Sequence, residues 1–181
     1  MIAFVSGGAR SGKSTFAEAL TRRWQDERGG KRYYLATASR GDTEMQARIS
    51  RHRRVRGEGW ITLEEPVDLC AALDRVVPGS TLLLDCLTLW ASQLLYASQL
   101  DETQGTVMIA RMLAEARQRD IALVIVSNDI NEGMPSEDAG VWCYVAFLQR
   151  VHCLVASEAD EVIQVMAGLP QVWKRHGERQ P

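Results

Sequence analysis

This 181-residue sequence lacks paired cysteines. Cys70, Cys86, Cys143 and Cys153 form no C-x-x-C pair and no metal-ligand spacing, which argues against a zinc site or a dithiol redox motif and leaves buried free thiols as the expectation. No run approaches the roughly 18 apolar residues of a membrane-spanning helix. The chain enters an apolar strand directly after Met1 without a signal-peptide pattern, so a cytoplasmic protein with no membrane span is expected. Positive charge is not in excess: 21 Lys and Arg against 23 Asp and Glu give a net charge of -2, so nothing global attracts nucleic acid, and any basic site must be local. Repeats and low-complexity linkers are also missing. The length fits one domain over residues 1–181, with a central sheet buried under helices.

What is present is punctuated by glycine. Val5-Ser6-Gly7-Gly8-Ala9-Arg10-Ser11-Gly12-Lys13-Ser14-Thr15 joins a short apolar strand to a helix, with four residues between Gly7 and Gly12 and then Lys13-Ser14. That is the P-loop pattern, whose backbone N–H groups wrap a di- or triphosphate at a helix N-terminus. Lys13 supplies a point charge to the terminal phosphates, and the Ser14 hydroxyl is a candidate Mg²⁺ ligand. Short β-rich runs then alternate with helical segments, which predicts an α/β fold with a mainly parallel sheet flanked by helices on both faces, of the RecA-like P-loop type. Strands are expected at 2–6, 33–37, 60–64, 81–85, 121–126 and 161–166, and helices at 13–28, 67–77, 87–100, 106–119 and 141–157. Gly168-Leu169-Pro170 reads as a turn before a short polar tail.

Two further stretches bear on chemistry. The run Thr81-Leu82-Leu83-Leu84-Asp85 has the Walker-B form, in which a buried strand delivers a carboxylate to the ion held by Ser14. A helix capped by Asp42 or Thr43 carries Met45, Ile49 and His52 on one face and runs into Arg53, Arg54, Val55 and Arg56. Those arginines suit a solvated face, a nucleic-acid contact or a second grip on a triphosphate, with nucleic acid ranked lowest for want of a wider basic surface. A histidine there either packs or, being largely neutral near pH 7, attacks phosphorus through a ring nitrogen. The small residues Thr37, Ala38 and Ser39 are expected to emerge on the P-loop edge, because parallel strands present their C-terminal ends together. A regulatory GTPase is disfavoured: Ser127-Asn128-Asp129-Ile130 stands where N-K-x-D would, and no D-x-x-G follows a strand.

The segments Gly7-Gly8-Ala9-Arg10-Ser11-Gly12-Lys13-Ser14, Ala36-Thr37, Glu44-Met45-x-Ala47-Arg48-Ile49-x-x-His52-Arg53, Trp60-x-Thr62-x-Glu64 and Leu84-Asp85-Cys86-Leu87-Thr88-Leu89-Trp90 occur in this order. Together with Ser127-Asn128, Arg150-Val151, Ala159-Asp160-Glu161-Val162 and Ala167-Gly168-Leu169-Pro170, they resemble the adenosylcobinamide kinase / adenosylcobinamide-phosphate guanylyltransferase family over nearly the whole chain. The resemblance implies a bifunctional enzyme. One activity phosphorylates adenosylcobinamide with ATP or GTP; the other transfers GMP from GTP to adenosylcobinamide-phosphate, giving adenosylcobinamide-GDP and pyrophosphate. It also implies a guanylylated histidine at His52, nucleotide contacts at Gly8 to Thr15, Thr37 to Ser39, Arg53 to Arg56, Glu64 and Asp85, Mg²⁺ at Ser14 and Asp85, and a homo-oligomer, in the family a trimer. An exposed Trp142/Tyr144 surface would suit a subunit contact.

The chain departs from the family at Asn128-Asp129-Ile130-Asn131-Glu132-Gly133-Met134-Pro135, where a longer run with two glycines is usual. The acceptor pocket is therefore less defined than the nucleotide end. Two other readings stay open: a P-loop small-molecule kinase with no covalent step, and a nucleotide-gated interaction module.

Overall fold

The structure is a computed structural model and describes residues 1–38, 58–130 and 138–180. Strand β1 (Ile2–Gly7) leads into helix α1 (Lys13–Arg28), followed by β2 (Arg32–Ala36), β3 (Trp60–Glu64), α2 (Leu69–Asp74) and β4 (Thr81–Asp85). Then come α3 (Leu87–Ala97), α4 (Glu102–Gln118), β5 (Ala122–Asn128), α5 (Ala139–Glu158), β6 (Glu161–Met166), β7 (Leu169–Arg175) and β8 (Glu178–Arg179).

Among the described residues, the eight strands form one sheet in the order β3-β2-β4-β5-β1-β6-β7-β8. The pairs from β3 to β6 are parallel, and the last two pairs are antiparallel. Strands β1, β4 and β5 are apolar nearly throughout because both of their faces are covered. On one face Ala17, Leu20 and Trp24 of α1 pack over Ala3, Val5, Tyr34, Ala36, Leu83, Val124, Val126, Ile163 and Val165. On the other, α2 to α5 pack over Phe4, Tyr33, Leu35, Leu82, Leu84, Leu123 and Ile125. Two-sided cover is what the alternation of strands and helices predicts, and the parallel strands place their C-terminal ends along a single edge with the P-loop.

Several boundaries differ from the sequence expectation. Residues 102–105, read as loop, are the first turn of α4, because Asp101 and Gln104 close a reciprocal capping box. The helix expected at 67–77 shortens to Leu69–Asp74, capped by the Asp68 side chain on the Ala71 amide. The polar tail is wrong: residues 169–175 and 178–179 extend the sheet by two antiparallel strands. This segment reads as polar because most of β7 is exposed, leaving little hydrophobic alternation to recognise. Of the four cysteines only Cys70 is buried; Cys86 is half-buried, and Cys143 and Cys153 are exposed.

Among the described residues, α5 is long and apolar enough by length and composition to cross a membrane. Here Phe147, Leu148, Val151 and Val155 are buried in the core. Trp142 near its start is exposed, whereas Tyr144 turns inward and donates its hydroxyl to the Thr88 carbonyl at 2.9 Å.

Candidate nucleotide site

The phosphate loop is shaped by close backbone contacts. A Cβ on Gly7 would stand 2.4 Å from the Val165 carbonyl oxygen, so only glycine fits between β1 and β6. Gly12, with φ 92°, is the left-handed N-cap of α1, and its side-chain direction is filled by Gly168 Cα at 3.3 Å. Within the loop, the Ser11 amide donates to the Gly8 carbonyl at 3.2 Å, and from outside it the Gly168 amide donates to the Ser11 carbonyl at 2.8 Å. Lys13 is buried and lays its Nζ on the Gly8 carbonyl at 3.1 Å.

The surroundings suit an anion. The first turn of α1 contains no acidic residue, so the positive end of the helix dipole is not neutralised from within. The Ser11 hydroxyl is fully buried against Gly7, without a hydrogen-bond partner among the described residues. Ala9, Arg10 and Thr15 are exposed on the loop and the first turn; Gly8 and Ser14 are half-buried.

Register places the acidic partner. Asp85 closes β4 opposite Ala36 of β2, and Ala36 in turn faces Glu64 of β3. Tyr34, Ala36 and Leu83 all pack under α1, so Asp85, two residues beyond Leu83, projects to the α1 side of the sheet. Ser14 is the second residue of α1, and the two predicted ion ligands therefore share one side of the sheet at one edge. The Tyr34 hydroxyl donates to Asp85 Oδ2 at 2.8 Å and orients the carboxylate. Glu64 projects to the same side from the edge strand and is exposed.

A hydroxyl with one carboxylate fits Mg²⁺, which takes its remaining ligands from phosphate oxygens and water. Among the described residues there is no cluster of three or more ionisable ligands that would form an all-protein cage. Thr37 is buried and engaged: its hydroxyl donates to the Cys86 carbonyl at 3.0 Å and accepts from the Cys86 amide at 3.2 Å, tying the ends of β2 and β4 together. Ala38 is also buried. Ser39, His52, Arg53, Arg54, Val55 and Arg56 lie outside the described residues.

The tertiary structure adds a polar chain that periodicity does not reveal. Beneath the end of β5, the Ser127 hydroxyl meets Thr88 Oγ1 at 3.0 Å and His152 Nε2 at 2.7 Å, and Thr88 Oγ1 accepts from the Asn128 amide at 2.8 Å. Asn128 itself pairs in register with Gly7, so this chain fixes the backbone next to the phosphate loop. Burial of His152, opposed by the Asp129 charge, lowers its pKa to about 4 and keeps the ring neutral. Burial likewise pushes the Tyr144 phenol up to about 12. The polar break Ser127-Asn128 after an otherwise apolar strand was the available signal; His152, 25 positions away from Ser127, was legible only as a helix residue.

Comparison with known proteins places this site in context. Residues 3–172 match the model of a family described as cobinamide kinase / cobinamide phosphate guanyltransferase. The bifunctional adenosylcobalamin biosynthesis protein CobP of Pseudomonas aeruginosa is 37% identical over 172 residues, spanning 94% of this chain and 95% of that protein. The corresponding CobU protein of Escherichia coli is 31% identical over 181 residues, spanning 93% and 97%. Among solved structures, flagellar accessory protein FlaH of Methanocaldococcus jannaschii superposes with a TM-score of 0.53 at 12% identity, covering 99% of this chain and 81% of that one. A KaiC-like protein of Pyrococcus horikoshii OT3 gives 0.50 at 11% identity, covering 90% and 69%. At such identities the structural likeness speaks for the RecA-like P-loop fold alone.

Proposed function

This chain belongs to the cobinamide kinase / cobinamide phosphate guanyltransferase family, and from that premise we propose that its P-loop site serves both reactions, with His52 carrying GMP between them. The observation that carries this reading is the placement of Ser14 and Asp85 on one side of the sheet beside a loop whose Lys13 and helix N-terminus suit an anion. In the kinase step the acceptor hydroxyl attacks the γ-phosphorus of ATP or GTP and gives up its proton, the bond from that phosphorus to the β–γ bridging oxygen breaks, and ADP or GDP leaves. Lys13 and the loop amides hold the charge of the phosphates throughout.

In the guanylyl step a ring nitrogen of His52 attacks the α-phosphorus of GTP. An N–P bond forms, the bond from the α-phosphorus to the bridging oxygen breaks, and pyrophosphate leaves. A phosphate oxygen of the phosphorylated acceptor then attacks the same phosphorus and displaces the histidine, giving the diphosphate product. Two displacements replace a direct encounter between two anionic substrates. Arg53, Arg54 and Arg56, next to His52 in the sequence, are suited to neutralise charge on the leaving pyrophosphate. Mg²⁺ at Ser14 and Asp85 would supply charge neutralisation of the phosphate chain.

The test uses the whole chain with Mg²⁺ and GTP labelled at the α-phosphate. An acid-labile, alkali-stable protein adduct is expected, absent from His52→Ala and discharged by phosphorylated cobinamide. No adduct in the wild type, together with transfer of a γ-label to cobinamide, would leave a kinase without a covalent step.

A further inference from the structure

The end of β5 lies between the two halves of the phosphate site. Strand order there runs β4-β5-β1, so β5 separates the strand that ends in Asp85 from the strand that enters the phosphate loop. Val126 is level with Asp85 on one side, and Asn128 is level with Gly7 on the other. Asn128 therefore reaches two residues further toward the ligand edge than Asp85 does. Val124 and Val126 pack under α1, and alternation sends Asn128 to that same side, the side of Ser14 and Asp85. Ser127 fits this parity, since it turns the opposite way and meets His152 of α5.

Asn128 is fixed through its backbone, and its side chain is left over. Its amide donates to Thr88 Oγ1 at 2.8 Å, and the next amide, that of Asp129, donates to the Gly7 carbonyl at 3.0 Å. An asparagine at the end of an element commonly folds its carboxamide onto neighbouring backbone. Among the described residues this half-buried carboxamide makes no hydrogen bond. Behind it Thr88, Ser127 and His152 are bonded in a chain, and the His152 ring lies against Phe4 with centroids 5.2 Å apart. A strand end held from behind, with a neutral amide N–H beside Gly7, is a preorganised donor for charge on a transferring phosphoryl group.

We propose that Asn128 is a further catalytic residue of the kinase step, its carboxamide donating to a γ-phosphoryl oxygen, and that His152 is the positioning residue that holds it through Ser127 and Thr88. Lys13 brings the terminal phosphates to this part of the edge. The γ-phosphoryl group leaves the β–γ bridging oxygen for the acceptor oxygen and the acceptor proton is released; Asn128 neither gains nor loses a proton. In the guanylyl step the bonds change at the α-phosphorus, where a donor to the γ-phosphoryl group has no charge to absorb. This inference rests on the shared P-loop site proposed above and deepens it by assigning one residue to one of the two reactions.

The test follows both reactions of the whole chain with Mg²⁺ and labelled GTP. Kinase turnover is read as γ-label on adenosylcobinamide, and guanylyl turnover as α-label in the product formed from adenosylcobinamide-phosphate. Asn128→Ala is expected to lower kinase kcat about a hundredfold relative to guanylyl kcat, with the KM for GTP in the kinase reaction little changed. His152→Phe is expected to lower the same ratio about tenfold, and His152→Gln, which can still bond Ser127, to restore it. The double variant Asn128→Ala/His152→Phe should be no slower than Asn128→Ala, because His152 acts through Asn128. Equal losses in the two reactions, an unchanged kinase kcat, or a rise in KM alone would overturn the role of Asn128. Losses that multiply in the double variant would overturn that of His152. If Asn128→Ala fails to fold, Asn128→Leu, close in shape and without a donor, carries the same comparison. Product is counted rather than protein adduct, so a wild type that transfers GMP without an adduct on His52 refutes the covalent reading, a result distinct from a failure of Asn128.

Discussion

His152 makes acid sensitivity a property of the backbone beside the phosphate loop. Burial lowers its pKa from 6.5 to about 4, so between those values the unfolded chain takes up a proton that the folded chain refuses. The sign follows: this stability is fully present above pH 6.5 and is lost progressively as the pH falls toward 4. At about 1.4 kcal/mol per pH unit, the gap amounts to about 3 kcal/mol, a sizeable part of the 5–15 kcal/mol typical of a whole domain. His152→Gln retains an amide able to bond the Ser127 hydroxyl but does not titrate. Urea unfolding of both proteins from pH 8 to pH 4 is the assay. The wild type is expected to lose about 3 kcal/mol more than the variant over that interval. Parallel curves would refute the reasoning, because every other titrating group is common to the two proteins.

Two further outcomes follow from the site geometry. Gly7→Ala would force a Cβ against the Val165 carbonyl at 2.4 Å, and both neighbouring strands are held by their ladders. Stability measured by denaturant is expected to fall by about 2 kcal/mol or more, with GTP affinity falling in parallel. Tyr34→Phe removes the hydrogen bond that orients Asp85 while leaving the carboxylate in place. The Mg²⁺ concentration for half-maximal kinase activity should rise by about tenfold, with far-UV circular dichroism unchanged; an unaltered Mg²⁺ dependence would remove Asp85 from the ion site.

The P-loop and the buried strand ending at Asp85 were legible in the sequence because each is local: a glycine pattern, an apolar run and a terminal carboxylate within about a dozen residues. The parallel α/β class followed from alternation of strands and helices, which the chain shows nearly throughout. Family membership was legible too, through ordered segments spread along the chain. Helix starts were read less well: residues 102–105 carry a glycine and polar side chains, yet the Asp101–Gln104 capping box and the burial of Gly105 make them helix. The last strands escaped because an exposed antiparallel edge has no apolar period to mark it.

What the sequence determined by itself is the chemistry available: a phosphate cradle, a lysine, a hydroxyl, a carboxylate and a histidine beside arginines. Which of these meet was decided by tertiary structure. Asp85 reaches the Ser14 side because β4 lies two strands from β1 and Leu83 turns its alternating face under α1. His152 comes to Ser127, and Gly168 to Ser11, over separations of 25 and 157 positions that no local pattern spans. Strand order and register supply those contacts, and they arise from burying both faces of one sheet together.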